Sequence, residues 1–184
     1  MNKQAIMAWI VALLFISSAF GMVVSNMSSS KIRYNDHVIN IRENMYGLKV
    51  DDVEISFYSL PEPISRVEFP EEFTTILKST KMFHITADLN DSLIEPISVL
   101  VFDVNKYLFE TDSVYVQTAF TTNETALPKI TCEDATPSVP VIYIKKGLNP
   151  SASFVDNCLN ITVGSSYDVA KYRDRLLYSF YGVI

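Results

Sequence analysis

The fold is decided by the stretch KMFHITADLNDSLIEPISVLVFDVNKYLFETDSVYVQTAFTT, residues 81–122. It begins with KMFHITADL and ends with DSVYVQTAFTT, two apolar runs that are typical of buried strands. Between them, Pro96 stands where a helix can begin. The apolar residues that follow recur three and four positions apart, as on one face of a helix: Ile97, Leu100, Val101, Val104 and Leu108. The stretch therefore predicts a strand–helix–strand crossover unit, right-handed if its strands are parallel.

Upstream of this unit the sequence predicts a small antiparallel meander and a short helix. Apolar and polar residues alternate in HVINIRENMYGLKVDDVEISFYSLP, residues 37–61, with turn residues between the runs. Pro61 and Pro63 end that pattern. FPEEFTTILKST, residues 69–80, then predicts a short helix that begins at Pro70.

Downstream, VPVIYIKKG and NCLNITVG predict two strands joined by a turn over residues 147–153. A final helix, capped by Ser165 or Ser166, follows them. One of its faces is apolar: Val169, Tyr172, Leu176, Leu177, Phe180 and Ile184. We expect the other face to be solvated, with Asp174 offsetting the neighbouring basic residues.

Together these elements predict an α+β fold: an N-terminal transmembrane helix, a small β-meander, and a mixed sheet in the order β-α-β-β-β-α with two main helices. The runner-up is a thioredoxin-like order, in which a cis proline precedes the terminal hairpin, here at the Val139–Pro140 step. The chain contains no C-x-x-C motif. A thioredoxin-like domain of this sequence would therefore be a scaffold without redox activity.

The N-terminal segment AIMAWIVALLFISSAFGMVV, residues 5–24, is uncharged. As a helix it would be about 30 Å long, the thickness of a hydrocarbon core. It predicts a retained membrane anchor, with a cleaved signal peptide as the alternative because Ala19-Phe20-Gly21 offers small residues at a cleavage spacing. The predicted domains are an anchor or signal peptide at 1–25, a juxtamembrane linker at 26–36 and one globular domain at 37–184.

The charge of the chain bears on its partners and its orientation. The net charge is −6, and the part from Lys31 onward is acidic, which disfavours binding to nucleic acid. Lys31 and Arg33 follow soon after the apolar segment, and basic residues favour the cytoplasmic side. The length of the following domain and the chemistry of its cysteines favour the outer side. The predicted partners are the lipid bilayer and an unidentified protein.

Cys132 and Cys158 are the only cysteines, and each lies beside an apolar run that predicts a strand. A disulfide between adjacent strands would stabilise the fold by about 3 to 4 kcal/mol, and two buried thiols are the alternative. N-x-S/T sequons occur at Asn26, Asn90, Asn123 and Asn160, and because about two would arise by chance, they favour a glycosylated exterior only weakly. Asn26 would lie too near the membrane to accept a glycan, which leaves Asn90, Asn123 and Asn160.

The search for catalytic chemistry singles out Asp88 and Asp91. They follow a predicted strand and precede a helix, the position where open α/β sheets collect ligands. Loop aspartates are also common turn formers, and no glycine-rich phosphate loop follows. His37 and His84 lack spaced metal-ligating partners, and no G-x-S-x-G motif is present. We therefore predict no catalytic residues, metal or cofactor.

ITCEDAT, PVIYIKKG, NCLNITVG and RDRLLYSFYGVI occur in that order between residues 130 and 184. In this region the chain resembles uncharacterised single-pass surface proteins of archaea, including small-genome lineages. The segment ISFYSLP shows a weaker similarity to the same proteins. The resemblance implies a membrane-anchored extracytoplasmic domain with paired cysteines and no known activity. The predicted function is binding, or a structural place in a surface or membrane complex. The alternatives are a hydrolase or transferase that uses Asp88 and Asp91, and a cytoplasm-facing accessory subunit.

Overall fold

Two β-sheets enclose a pair of helices in the computed structural model, which describes residues 30–124 and 126–184. The predicted anchor, residues 5–24, lies outside these residues. Within the described ranges, no helix combines the length and the hydrophobicity that crossing a bilayer requires. The architecture is α+β, as the sequence predicts.

The first sheet is the predicted meander with one more strand at its N-terminal edge. Its four antiparallel strands follow the chain order: β1 (Ser30–Tyr34), β2 (His37–Arg42), β3 (Met45–Val50) and β4 (Val53–Phe57). The segment predicted as a linker, residues 26–36, thus supplies β1. Asn35, Glu43 and Asp51 have positive φ angles, which close the tight turns between these strands.

Two short helices connect the sheets, α1 (Pro61–Ser65) and α2 (Glu71–Ser79). The second confirms the predicted helix to within one residue, since Pro70 is its N-cap. Glu71 and Glu72 lie in the first turn of α2, where their charge complements the helix dipole.

The second sheet contains five strands in the order β6-β5-β7-β9-β8. The elements that build it are β5 (Met82–Ala87), α3 (Ile94–Asp112), β6 (Tyr115–Phe120), β7 (Val141–Lys146), β8 (Ser151–Val155), β9 (Cys158–Val163) and α4 (Ser166–Phe180). Strands β5 and β6 are parallel, which confirms the crossover unit. Ser113 ends α3 in the left-handed conformation, and Ser165 caps α4 by accepting a hydrogen bond from the Asp168 amide.

The predicted terminal hairpin is wrong. Strands β7 and β9 lie side by side and parallel, and β8 separates them along the chain. The predicted turn over residues 147–153 therefore contains the start of a strand, and the helix α3 is followed by four strands instead of three. The thioredoxin-like order also fails, because it ends in a hairpin, whereas β7 and β9 pair in parallel.

Helices α3 and α4 lie between the sheets and join them into one core. Tyr178 of α4 stacks on Phe57 of β4, with ring centroids 3.8 Å apart. On the other side, Leu176 and Val169 of α4 belong to the same cluster as Ile161 of β9. Because α4 meets both sheets, burial extends around most of its circumference.

The prediction of a solvated face on α4 is wrong, since Arg173 and Asp174 are only 2% and 0% exposed. Arg173 Nη1 donates to Asp174 Oδ1 at 2.7 Å, and Arg173 Nε donates to Asp103 Oδ2 at 2.9 Å. Desolvation raises the pKa of Asp174 to about 6, while Arg173 and two backbone amides counteract the rise.

The unpaired edge of β4 explains why this ion pair is buried. The Ser56 carbonyl accepts a hydrogen bond from Arg173 Nη1, and the amides of Tyr58 and Ser59 donate to Asp174 Oδ2. Backbone groups at a covered sheet edge need partners, because an unpaired buried amide is costly. Arg173 and Asp174 supply these partners in place of a neighbouring strand.

Candidate functional site

The two faces of the five-stranded sheet differ in how they are covered. Alternate residues such as Phe83, Ile85 and Ile142 face the helices and are buried. The opposite face carries half-buried or exposed polar residues: His84, Gln117, Tyr143, Lys145, Asn160 and Thr162. Thr86, Ala119, Val141 and Cys158 of that face are buried. The sheet therefore has an open polar face, which an all-parallel sheet covered by helices would lack.

The connection from β6 to β7, residues 121–140, crosses part of this open face. A disulfide joins Cys132 in this loop to Cys158 in β9, which confirms the predicted pairing. Cys132 begins a short 3₁₀ helix, Cys132–Asp134, and the strand predicted beside it is not formed between β6 and β7 in the described residues. The loop also packs Ile130 onto Val141, and Ile130 accepts a hydrogen bond from Thr86 Oγ1 at 2.7 Å.

A capping box holds the 3₁₀ helix in a fixed shape. Thr131 Oγ1 accepts a hydrogen bond from the Glu133 amide, and Asp134 Oδ2 accepts one from the Thr131 amide at 2.8 Å. Hydrogen bonds from the backbone and side chain of Thr131 lower the pKa of Asp134. The carboxylate therefore stays ionised near neutral pH while it rigidifies the loop.

Between this loop and the uncovered part of the sheet lies a groove of about 760 Å³. Its lining includes Thr121, Lys129, Glu133, Asp134, Tyr143 and Asn160. The volume falls in the range of about 300 to 1,000 Å³ that is usual for small-molecule sites. The groove is open to solvent, and its lining combines apolar surface with side chains of both charges.

Tyr143 and Asn160 form the sheet side of the groove, and they are neighbours in the β7–β9 register. The Sγ atom of Cys132 lies 3.5 Å from Asn160 Oδ1. This is a contact and not a hydrogen bond, because a disulfide sulfur carries no hydrogen. Desolvation raises the pKa of Tyr143, and the charges of Asp88 and Asp91 add to the effect. The phenol therefore stays protonated and can donate a hydrogen bond.

His84 lies under the same loop, and its Nδ1 atom is buried without a hydrogen-bond partner among the described residues. Desolvation lowers the pKa of His84, and the charge of Asp134 partly opposes this. The neutral imidazole is therefore favoured in the folded protein.

The structure places the predicted acidic pair, Asp88 and Asp91, at the end of β5. Each carboxylate accepts hydrogen bonds from backbone amides. Asp88 Oδ1 accepts a hydrogen bond from the Asn90 amide. Asp91 accepts one from the Leu93 amide and another, at 2.8 Å, from the Lys146 amide at the end of β7. Asp88 therefore shapes a turn, and Asp91 ties that turn to the neighbouring strand.

Among the three predicted glycosylation sites, Asn90 and Asn123 are exposed in loops, whereas Asn160 is half-buried in the groove. Within residues 30–124 and 126–184, no group of three His, Cys, Asp or Glu side chains could hold a metal ion. Sequence reasoning missed the groove itself, because its residues come from three separate segments. The alternation of polar residues in β7 and β9 is the one signal that could have indicated an open face.

The fold and the groove define a disulfide-tied α+β domain with an open polar sheet face. No protein-family model, curated protein or solved structure matches this chain. The resemblance to archaeal surface proteins therefore stays a prediction.

Proposed function

We propose that the protein is a non-catalytic binding domain, anchored by residues 5–24 and displayed on the outer face of the cell membrane as part of a surface complex. The observation that carries this proposal is the groove beside the Cys132–Cys158 disulfide. Disulfides persist in oxidising compartments outside the cytosol, which supports the outer orientation. The uncharged N-terminal segment supports attachment to the bilayer.

The groove chemistry favours a neutral ligand that carries many hydroxyl groups, such as a saccharide. Tyr143 offers an aromatic ring and a hydroxyl, Asn160 an amide, and Thr121 a second hydroxyl. These groups both donate and accept hydrogen bonds, as a hydroxyl-rich ligand requires. Lys129 offsets one of the two acidic side chains, Glu133 and Asp134, so the groove keeps an excess of only one negative charge with which to select an ion.

The hydrogen bonds at the strand ends support a binding function without catalysis. Asp91 uses both of its carboxylate oxygens on backbone amides, and Asp88 uses one. A carboxylate whose oxygens already accept hydrogen bonds from backbone amides is poorly placed to accept a proton from a substrate.

The ligand prediction is tested by titrating the full chain in detergent with a panel of saccharides and measuring heat release. We expect Tyr143→Ala and Asn160→Ala each to weaken the binding of a responding saccharide by about tenfold or more. Tyr115→Ala is the matched control, because Tyr115 is a half-exposed tyrosine of the same sheet outside the groove. The proposal fails if no saccharide binds, or if Tyr115→Ala weakens binding as much as Tyr143→Ala.

The location is tested by protease treatment of intact cells, with detection of the C-terminal domain. An outer domain is digested and contains no free thiol. A domain that is protected from the protease and carries two reactive thiols would place it in the cytoplasm. Mass spectrometry of the same material shows whether Asn90, Asn123 or Asn160 carries a glycan, and a glycan on Asn160 would fill the groove itself.

A further inference from the structure

Helix α3 exposes a stripe that the two sheets leave uncovered. Val99, Phe102 and Phe109 are 50%, 67% and 59% exposed. With Glu95 and Lys106, which are also exposed, they follow the alternating four- and three-residue spacing of a coiled-coil seam. The solvated side of a surface helix is normally polar, so three large apolar residues on one seam indicate a docking surface.

A small apolar hollow lies beside the stripe, between the first turns of α3 and α4. It measures about 200 Å³, and its lining includes Tyr58, Pro96, Val99, Val169 and Ala170. Val99 belongs to both the stripe and the hollow, and Phe102 projects one turn further along the helix. The same face thus carries a protruding aromatic side chain and a recess beside it, which is what a self-complementary interface requires.

The charges on the stripe select the orientation of a second copy. In a parallel pair, each residue would face the same residue of the second copy. Lys106 would then meet Lys106, and Glu95 would meet Glu95. In an antiparallel pair centred between Leu100 and Val101, Glu95 faces the second copy's Lys106 and Val99 faces the second copy's Phe102. Neither Glu95 nor Lys106 forms an ion pair among the described residues, although Lys106 Nζ lies 5.3 Å from the Tyr107 ring centroid.

We propose that this face binds a second copy of the same chain, with α3 packed antiparallel against α3 about a two-fold axis. The four central layers then pair Val99 with Phe102 twice and Glu95 with Lys106 twice, and Phe109 lies beyond these layers at the end of the stripe. Each Phe102 lies against the edge of the other copy's hollow. The proposal is independent of the groove on the open sheet face, which is left free to bind its ligand.

The size of the surface sets the expected affinity. Helix α3 has 19 residues and is about 28 Å long, so a pair of these helices forms an interface at the small end of the range for specific complexes. Tyr58, which is 45% exposed and lines the hollow, extends the interface there. We expect a dissociation constant of about 1 to 100 μM in solution, with tighter effective association where anchors confine both copies to one membrane.

The first test is sedimentation equilibrium of the full chain in density-matched detergent. We expect a reversible dimer, and Phe102→Asp should raise its dissociation constant about tenfold or more. Because Phe102 is exposed, the variant should keep its fold, which circular dichroism checks. Val155→Asp is the matched control, since Val155 is 60% exposed at the end of the edge strand β8, opposite the first residue of β9 and away from α3. A monomeric protein, or a dimer that Phe102→Asp leaves unchanged, overturns the proposal.

The second test is a charge-reversal cycle that measures orientation. Glu95→Lys alone brings lysine against lysine, and Lys106→Glu alone brings glutamate against glutamate. Each should raise the dissociation constant about two- to fivefold. The double variant restores opposite charges across the antiparallel pair and should return to within about twofold of the original value. Additive weakening in the double variant overturns the antiparallel arrangement.

Discussion

Replacing Asp174 by alanine should strongly destabilise the protein, although the residue lies far along the chain from the backbone that it holds. The carboxylate accepts hydrogen bonds from Arg173 Nη1 at 2.7 Å, the Tyr58 amide at 2.9 Å and the Ser59 amide at 2.8 Å. Alanine removes both carboxylate oxygens and with them all three hydrogen bonds. Arg173 keeps its contact with Asp103 and its bond to the Ser56 carbonyl.

The magnitude follows from what the substitution leaves behind. Each buried amide without an acceptor costs about 1 to 3 kcal/mol, and removing one partner of a buried ion pair typically costs about 3 to 5 kcal/mol. These losses overlap, so we expect the free energy of unfolding to fall by about 3 to 5 kcal/mol. At about 2 to 4 °C per kcal/mol for a chain of this size, the midpoint temperature should fall by roughly 6 to 20 °C.

The assay is urea unfolding of the full chain in mild detergent, followed by far-UV circular dichroism. Glu62→Ala is the control, because Glu62 and Arg66 form an ion pair whose side chains are 73% and 76% exposed. Its loss should change the free energy of unfolding by no more than about 0.5 kcal/mol. If Asp174→Ala costs less than about 1 kcal/mol, the carboxylate does not serve as the partner of the β4 edge and the reasoning is refuted.

Three further perturbations test the disulfide, a histidine and a helix cap. Replacing Cys132 and Cys158 with alanine should lower the free energy of unfolding by about 3 to 4 kcal/mol, and a reductant should then have no further effect on the unfolding midpoint. Burial holds the pKa of His84 below 6.5, so the folded state binds fewer protons than the unfolded state and stability falls as the pH drops through 6.5. His84→Gln should reduce that fall between about pH 7.5 and about pH 5.5, and an unchanged pH profile would contradict the assignment. Ser165→Ala removes the side-chain acceptor of the Asp168 amide and should cost about 1 kcal/mol in the same unfolding assay.

The groove shows why a site can escape sequence reasoning even when its residues are noticed. Cys132 and Asn160 stand out in the sequence, and Asp88 and Asp91 have the position of a strand-end site. The structure gives the aspartates backbone partners and brings Asn160 together with Tyr143 and the 3₁₀ helix. Which residues meet depends on β7 and β9 being neighbours, and no local pattern encodes that pairing.

Strands β1 and β8 were missed for a related reason. SKIRY and SASFV are short, polar or small-residue stretches beside turn signals, so their composition favours a loop. Each lies at the edge of its sheet. Edge strands are commonly short and charged, and pairing with a neighbour, more than intrinsic propensity, makes them strands.

By itself, the sequence determined the elements whose signals are local. The apolar spacing of α3, the flanking strands β5 and β6, the cap of α4 and the Cys132–Cys158 pair could all be read from residues near one another or from compartment chemistry. Only the tertiary structure decided that α4 would lie between two sheets, which buries Arg173 and Asp174 against the edge of β4. The physical reason is that the periodicity of apolar residues indicates only which side of a helix is apolar. The burial of a charged side chain depends on partners that, here, lie more than 100 residues away in the chain.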